Sequence, residues 1–321
     1  MEVYLGIDVG SVTTKLAVLD ENDELIAHVY LPTQGKPIEM TQLGLKQIKQ
    51  QLPEDANIRG VATTGSARYL AGVIVGADLV KNEITSHAVA ALQYIPQVQT
   101  IIEIGGQDSK IIIIRDGIVT DFGMNTVCAA GTGSFLDHQA LRLNMSIEEF
   151  SQRALDSNTP VRIAGRCTVF AESDMVHKQQ MGHRTEDIVY GLCQALVRNY
   201  LNNVGLGKDI KPPIAFQGGV AFNQGIVKAL QEELDTEILV PFHHEVMGAI
   251  GAALLVHEGM MNNNNGSRFK GFGVSKAKYH TSSFECKACP NLCEIAQLSL
   301  NGQVLARWGG RCDRWERSPS S

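Results

Sequence analysis

Leu5-Gly6-Ile7-Asp8-Val9-Gly10-Ser11-Val12-Thr13-Thr14-Lys15 places an acid on an apolar strand, directly before a Gly-Ser turn, and follows the turn with hydroxyls and a lysine. Gly10 lets backbone N–H groups approach a phosphate with no Cβ in the way. Asp8 suits Mg²⁺, held through water, and Ser11, Thr13, Thr14 and Lys15 supply donors. Alone, this stretch reads equally well as a plain hairpin with a surface lysine. Its recurrence decides the fold. Ile101-Ile102-Glu103-Ile104-Gly105-Gly106-Gln107-Asp108-Ser109-Lys110 again sets an acid on a strand before a glycine turn. The surroundings recur as well. Residues 3–9, 13–20 and 24–31 are β-rich runs joined by short turns, as in an antiparallel meander, and 100–104, 109–115 and 118–122 repeat them. Two halves with the same opening indicate a duplicated α/β domain. Facing hairpins of this kind are expected to clamp a nucleotide's phosphates and metal in a cleft between the halves. Asp8, Glu103 and Asp108 are then the catalytic candidates, with Gly10, Gly105, Gly106 and Gln107 lining the phosphates.

Between and beyond the meanders, helical spacing covers 37–52, 67–75, 83–94, 129–143, 147–155, 168–180, 186–204, 224–234 and 245–257. Residues 57–64, 214–216 and 237–241 read as further strands. In Ala215-Phe216-Gln217-Gly218-Gly219-Val220-Ala221-Phe222-Asn223 a strand runs into a Gly-Gly turn and a helix. The backbone of Gly218 and Gly219 can lie flat against an adenosine there. These three segments, in this order, resemble the actin-like ATPase superfamily, which includes sugar kinases and heat-shock chaperone ATPases. The resemblance implies a duplicated, ribonuclease H-like fold. It sets Glu103 in the place of the second-domain acid and Gly218-Gly219 in that of the adenosine motif. It also makes the small-residue helix around 248–253 the second interdomain connection.

The bulk properties agree with a folded, soluble enzyme. The chain has 321 residues, 44% hydrophobic and 19% charged, with net charge −6 and no basic block. Neither a nucleic acid nor an anionic membrane is expected as a partner. No apolar run approaches the ~18 residues of a membrane span. The N-terminus reads as a first strand rather than a signal peptide. A reducing, cytoplasmic compartment follows, and the seven cysteines are better read as thiols or metal ligands than as disulfides.

Cys128, in Thr126-Val127-Cys128-Ala129-Ala130-Gly131-Thr132-Gly133-Ser134, and Cys167, in Ala164-Gly165-Arg166-Cys167-Thr168-Val169-Phe170, each stand at the mouth of an expected helix. Free N–H groups there stabilise thiolates, although two buried, inert thiols are the plainer alternative. Two ligands per chain complete a cubane cluster only across a two-fold dimer. Cys193, on an apolar helical pattern, reads as core.

Both segments resemble those of the activators of 2-hydroxyacyl-CoA dehydratases, relatives of the ATPase subunits of benzoyl-CoA reductase, over about residues 3–258. The resemblance implies a homodimer with one 4Fe–4S cluster ligated by Cys128 and Cys167 of each chain. It further implies an ATPase, using ATP and Mg²⁺, that takes an electron from a ferredoxin or flavodoxin. ATP binding would swing the cluster-bearing helices and open the cluster to a cluster-containing dehydratase or reductase. A small-molecule kinase of the same fold is the main rival, and a nucleotide-binding scaffold a second.

The sequence divides into a first half (1–96), a second half (97–260), a linker (261–283) around Asn262-Asn263-Asn264-Asn265, and a Cys-rich extension (284–321). Cys286, Cys289, Cys293 and Cys312 in that extension form a four-ligand pattern for zinc or a second iron–sulfur cluster. The extension is too short for a core of its own and is expected to fold around its metal.

Overall fold

The computed structural model describes residues 1–125, 128–261, 266–312 and 314–315. The chain forms two compact units: Met1–Ser86 together with Gly248–Ser321, and His87–Met247.

The first unit opens with β1 (Glu2–Val9), β2 (Thr13–Leu19) and β3 (Leu25–Pro32), followed by α1 (Pro37–Gln51), β4 (Asn57–Thr64), α2 (Arg68–Val75) and β5 (Leu79–Val80). β1 and β2 are apolar on both faces and almost wholly buried, whereas β3 alternates buried with exposed residues and lies at the sheet edge. α1 starts on Pro37, which tolerates a first-turn position, and buries Thr41, Gly44, Leu45 and Ile48, one face of a helix. α3 (Glu83–Tyr94) carries the chain into the second unit.

There β6 (Thr100–Ile104), β7 (Ser109–Arg115) and β8 (Ile118–Asn125) are followed by α4 (Gly133–Arg142), α5 (Ile147–Leu155), α6 (Thr168–Gln180) and α7 (Thr185–Tyr200). β9 (Ile214–Gln217), α8 (Gln224–Leu234), β10 (Ile238–Leu239) and α9 (Met247–Met261) complete the repeat. The sheet orders, β3-β2-β1-β4-β5 and β8-β7-β6-β9-β10, are the same order twice. In both, the meander pairings are antiparallel and the other two parallel. The duplicated α/β architecture expected from the sequence is therefore present, with β5 added as a short strand that the sequence reading did not foresee.

Three differences have physical causes. Residues 129–143 do not form one helix: a 3₁₀ turn at Ala129–Gly131 is separated from α4 by Thr132, whose backbone is extended. Residues 186–204 are α-helical only to Tyr200, then continue as a π-helical turn, Leu201–Gly205. And α9 belongs to the first unit from Gly248 onward, because it lies directly on β1. A Cβ on Gly6 would sit 1.8 Å from the Ala249 carbonyl oxygen, and Ala252 and Val256 pack with Tyr4 and Ala62.

The C-terminal stretch contains a third sheet, β11 (Tyr279–Glu285), β12 (Glu294–Leu300) and β13 (Gln303–Trp308), in that order. It does not stand alone. Leu298 is 0% exposed and shares the core of Val3, Leu5, Leu45 and Ile48, with Phe269, Phe272, Leu305 and Trp308 packed at its margin. Of the expected linker, residues 262–265 lie outside the described residues. The rest is pinned to the first unit. The Lys270 N–H donates to Val75 O, and the Gln42 amide donates to the carbonyls of Val274 and Ala277. Apolar residues at 269, 272 and 274 give this stretch an anchor that its polar start conceals. Among the described residues, no helix is long and apolar enough to cross a membrane.

Candidate functional site

The antiparallel register pairs Asp8 with Lys15 across β1 and β2, and Glu103 with Lys110 across β6 and β7. Side chains directly opposite in such a pair lie on one face and meet. Lys15 Nζ lies 3.0 Å from Asp8 Oδ2. Lys110 Nζ lies 2.9 Å from both Glu103 Oε2 and Asp108 Oδ2. Lys110 is only 2% exposed and Glu103 is buried with it, while Asp108 is partly exposed at the rim of this ionic network. Its lysine was not singled out by the sequence reading, although its spacing from Glu103 repeats that of Lys15 from Asp8. The Tyr200 hydroxyl donates to the Lys110 carbonyl at 2.8 Å. Burial, and then the Glu103 charge, hold that phenol well above its ordinary pKa.

The first glycine turn is closed by the Gly10 N–H donating to Thr13 O and braced by the Thr33 hydroxyl on Gly10 O. Thr14 is fully buried and its hydroxyl pairs with Thr33. It braces the turn from within, while Ser11 is exposed and Thr13 half-buried. A further wall comes from β4. A Cβ on Gly65, whose φ is +88°, would lie 2.4 Å from Asp8 Oδ1. This Thr64-Gly65 corner was not foreseen, because parallel pairing of β1 with β4 brings it to Asp8 from far along the chain.

In the second turn the Gly105 N–H donates to Asp108 O, and Gln107 is exposed. Gly218, at φ +94°, has Ile104 O and Glu103 Oε1 only 2.5 and 2.9 Å from where a Cβ would stand. The Gly-Gly turn is thus seated on the second acid. Gly219 opens a 3₁₀ turn ending at Phe222, whose exposed ring meets His244 edge-on, and Gly218 exchanges hydrogen bonds with His244.

Three buried oxygens beside these acids, Thr64 Oγ1, Ser109 Oγ and Gln217 Oε1, have no hydrogen-bond partner among the described residues. Thr64 is the register partner of Asp8 and Gln217 that of Glu103, while Ser109 pairs with Ile104. Buried polar atoms are rarely left unpaired. Within each unit, an open polar atom beside the acid fits a further polar ligand there.

α4 starts on this second turn. The N–H groups of Gly133 and Ser134 donate to Gly105 O and Gly106 O, both at 2.8 Å, and Ser134 Oγ adds a bond of 2.5 Å to Gly106 O. Cys128 precedes the 3₁₀ turn leading into α4, and Asn125 fixes its backbone on both sides. Cys167 immediately precedes α6. Both thiols are partly exposed. α4 and α6 are linked by an Arg142–Glu172 ion pair and enclose a cavity of about 200 Å³ lined by Ala129, His138 and Thr168 among others. Val169 and Phe170, just after Cys167, are 65% and 67% exposed. Thr126 and Val127 lie outside the described residues. Cys193 is buried, and burial pushes its thiol far up.

The remaining cysteines gather at one end of the third sheet. Cys286 and Cys293 close the β11–β12 loop through an N–H···O bond. Cys286 is buried and its sulfur accepts the Trp315 indole N–H at 3.2 Å, which lowers its pKa. Cys289 and Cys312 are exposed. Among the described residues no group of three or more His, Cys, Asp or Glu is placed to hold a metal ion.

Matching acid–lysine pairs in two duplicated sheets, with a Gly-Gly turn against the second acid, are the framework of an ATP-binding ATPase of the actin-like fold. The chain belongs to the BadF/BadG/BcrA/BcrD ATPase family, whose profile matches residues 5–256. It is 34% identical to the (R)-2-hydroxyglutaryl-CoA dehydratase activating ATPase of Acidaminococcus fermentans, over 80% of this chain and 98% of that one. The solved activator of the 2-hydroxyisocaproyl-CoA dehydratase from Clostridium difficile, with bound ADPNP, superposes with a TM-score of 0.73 at 31% identity. That match covers 81% of this chain and 96% of the other. A glucokinase from Streptomyces griseus, in complex with glucose and AMPPNP, reaches 0.52 at 12% identity over 80% of this chain and all of its own. That likeness shows the fold alone.

Proposed function

We propose that the protein is a reductive activator: a homodimeric iron–sulfur ATPase that uses ATP to pass one low-potential electron to a 2-hydroxyacyl-CoA dehydratase-like or aryl-CoA reductase-like partner. The relatives named above are activators of dehydratases. The observation that carries the reading is the hydrogen-bonded junction of Gly133 and Ser134 with Gly105 and Gly106. It fastens the segment that begins at Cys128 to a phosphate turn.

In this reading Asp8 and the Glu103–Asp108 pair hold Mg²⁺, and the glycine turns and Gly218-Gly219 hold the nucleotide. Lys15 and Lys110 neutralise the acids when no cation is present. Cys128 and Cys167 fit a cluster shared between two chains: both are thiols near helix starts, both partly exposed, and apolar Val169 and Phe170 beside Cys167 offer a dimer face. A bound 4Fe–4S cluster would supply the single electron, received from a ferredoxin or flavodoxin. Repositioning α4 through its junction with the phosphate turn is then the means by which Mg-ATP acts on Cys128. No observation comparable to the cysteine pair favours the kinase reading.

The test is anaerobic purification. A brown dimer is expected, with about four irons per two chains by the ligand count of a shared cubane. Asp8→Ala should remove Mg-dependent hydrolysis and leave the iron in place. A colourless protein that hydrolyses ATP normally would end the electron-transfer reading.

A further inference from the structure

The third sheet leaves a groove that the family resemblance does not account for, since the family match ends at residue 256. The groove, about 830 Å³, lies between α2 and β13, within the first unit. One wall is Tyr69, Val73 and Ala77. The other is the continuous run from Leu305 to Gly310. Residues of a strand alternate between faces, so a continuous lining run means that the edge of β13 borders the groove. That edge is open: β13 pairs only with β12 among the described residues.

The charge is one-sided. Arg268, Lys270 and Arg307 line the groove and no acidic residue does, on a chain of net charge −6. The nearby Asp78 side chain is 10% exposed, and its oxygens are taken by Val61 N, Ser267 Oγ and Arg268 N. Arg268 and Lys270 donate to the backbone carbonyls of Ala77, Asp78 and Val73, and Arg307 to the Gln297 amide oxygen. Arg268 Nε also lies 3.8 Å from Asp78 Oδ1, whereas Lys270 and Arg307 line the groove with no ion pair among the described residues.

We propose that this groove docks an extended, acidic segment of a protein partner, which adds as a strand to β13. Backbone pairing to the open edge supplies the register. The three cations select acidic side chains, and the surfaces of Tyr69 and Trp308 take an apolar one. The proposal does not rest on the electron-transfer reading.

The probe is a fluorescein-labelled peptide, Asp-Val-Glu-Phe-Glu-Val-Asp, titrated with the full chain by fluorescence anisotropy. Saturable binding is expected, with none by its counterpart carrying Lys in place of each acid. Arg268→Gln combined with Arg307→Gln should weaken it by about tenfold or more, as for loss of two interfacial charges. An acidic peptide N-methylated at every residue keeps every side chain but offers no N–H to a strand edge on either side, and it should lose binding in the unaltered protein. This arm stands even if the double variant folds poorly. Equal binding of the methylated and parent peptides, equal binding of acidic and basic peptides, or no binding of the acidic one would each overturn the proposal.

Discussion

Lys110 is the residue on which the second acid depends. It sits between Glu103 and Asp108 at 2.9 Å from each. Its removal leaves carboxylates that have lost their countercharge, one of them buried. Breaking a buried pair from one side costs about 3–5 kcal/mol. Lys110→Met is therefore expected to lower stability by that order in urea unfolding, and Lys15→Met by clearly less, because the Lys15 side chain is 16% exposed. Equal losses would show that burial does not set the difference. A second residue gives a pH signature. Cys193 has its thiol pushed up by burial, so the folded chain keeps that proton where the unfolded chain, with a thiol pKa of about 8.5, releases it. A raised folded-state pKa confers stability that is complete below the unfolded value and lost as pH rises. Between about pH 8.5 and 9.5 stability should fall, and the fall should be shallower in Cys193→Ala, once each variant is compared with itself at pH 7. The acids Asp8 and Glu103 were legible in the sequence because the acid-then-glycine pattern occurs twice. Lys110, Thr64 and Gln217 were not, because what makes them site residues is register across strands, which a linear reading does not contain.

At the scale of elements, helix and strand positions were mostly legible from periodicity. α5, α6 and α8 begin and end where the apolar spacing and flanking residues place them. The failure at 129–143 is instructive. Gly131, Thr132 and Gly133 weaken a helix locally, and the break at Thr132 is fixed by a tertiary event: the carbonyls of Gly105 and Gly106 take the N–H groups of Gly133 and Ser134. The same event joins the phosphate turn to the Cys128 segment. Ser134→Ala removes the Oγ bond to Gly106 O, worth about 1 kcal/mol, and leaves both backbone bonds. The variant should bind ATP nearly as the parent does. ATP should accelerate extraction of its iron by a chelator, bathophenanthroline disulfonate, less than in the parent. Unchanged acceleration would mean that the coupling runs through some other element.

At the scale of the molecule, the duplication could be read from the sequence because each half repeats a three-strand meander, and the sheets bear it out in matching order. The attachment of the third sheet could not, because Leu298 looks like any isolated apolar residue until it is found in the same core as Val3 and Leu45. The assembly is the remaining level. Each chain brings two cysteines, Cys128 at the 3₁₀ turn ahead of α4 and Cys167 at the start of α6, and a cubane needs four. A two-fold axis supplies the rest only if the surface around Cys167 meets its own copy. That surface carries Val169 and Phe170, exposed side chains of the kind that cores and interfaces bury. Burying one such side chain is worth about 1.5–3 kcal/mol, and the symmetry counts it twice. A carboxylate there opposes its own image across the axis. Phe170→Asp should therefore be a monomer in sedimentation velocity. Its position on exposed helix surface predicts an intact fold, checked by circular dichroism, and ATP affinity close to the parent's, because Asp8, Glu103 and Gly218 are untouched. Its iron should be lost together with the dimer, since a lone chain has only half the ligands. A folded Phe170→Asp monomer that retained a full complement of iron would show that the cluster is not shared between chains.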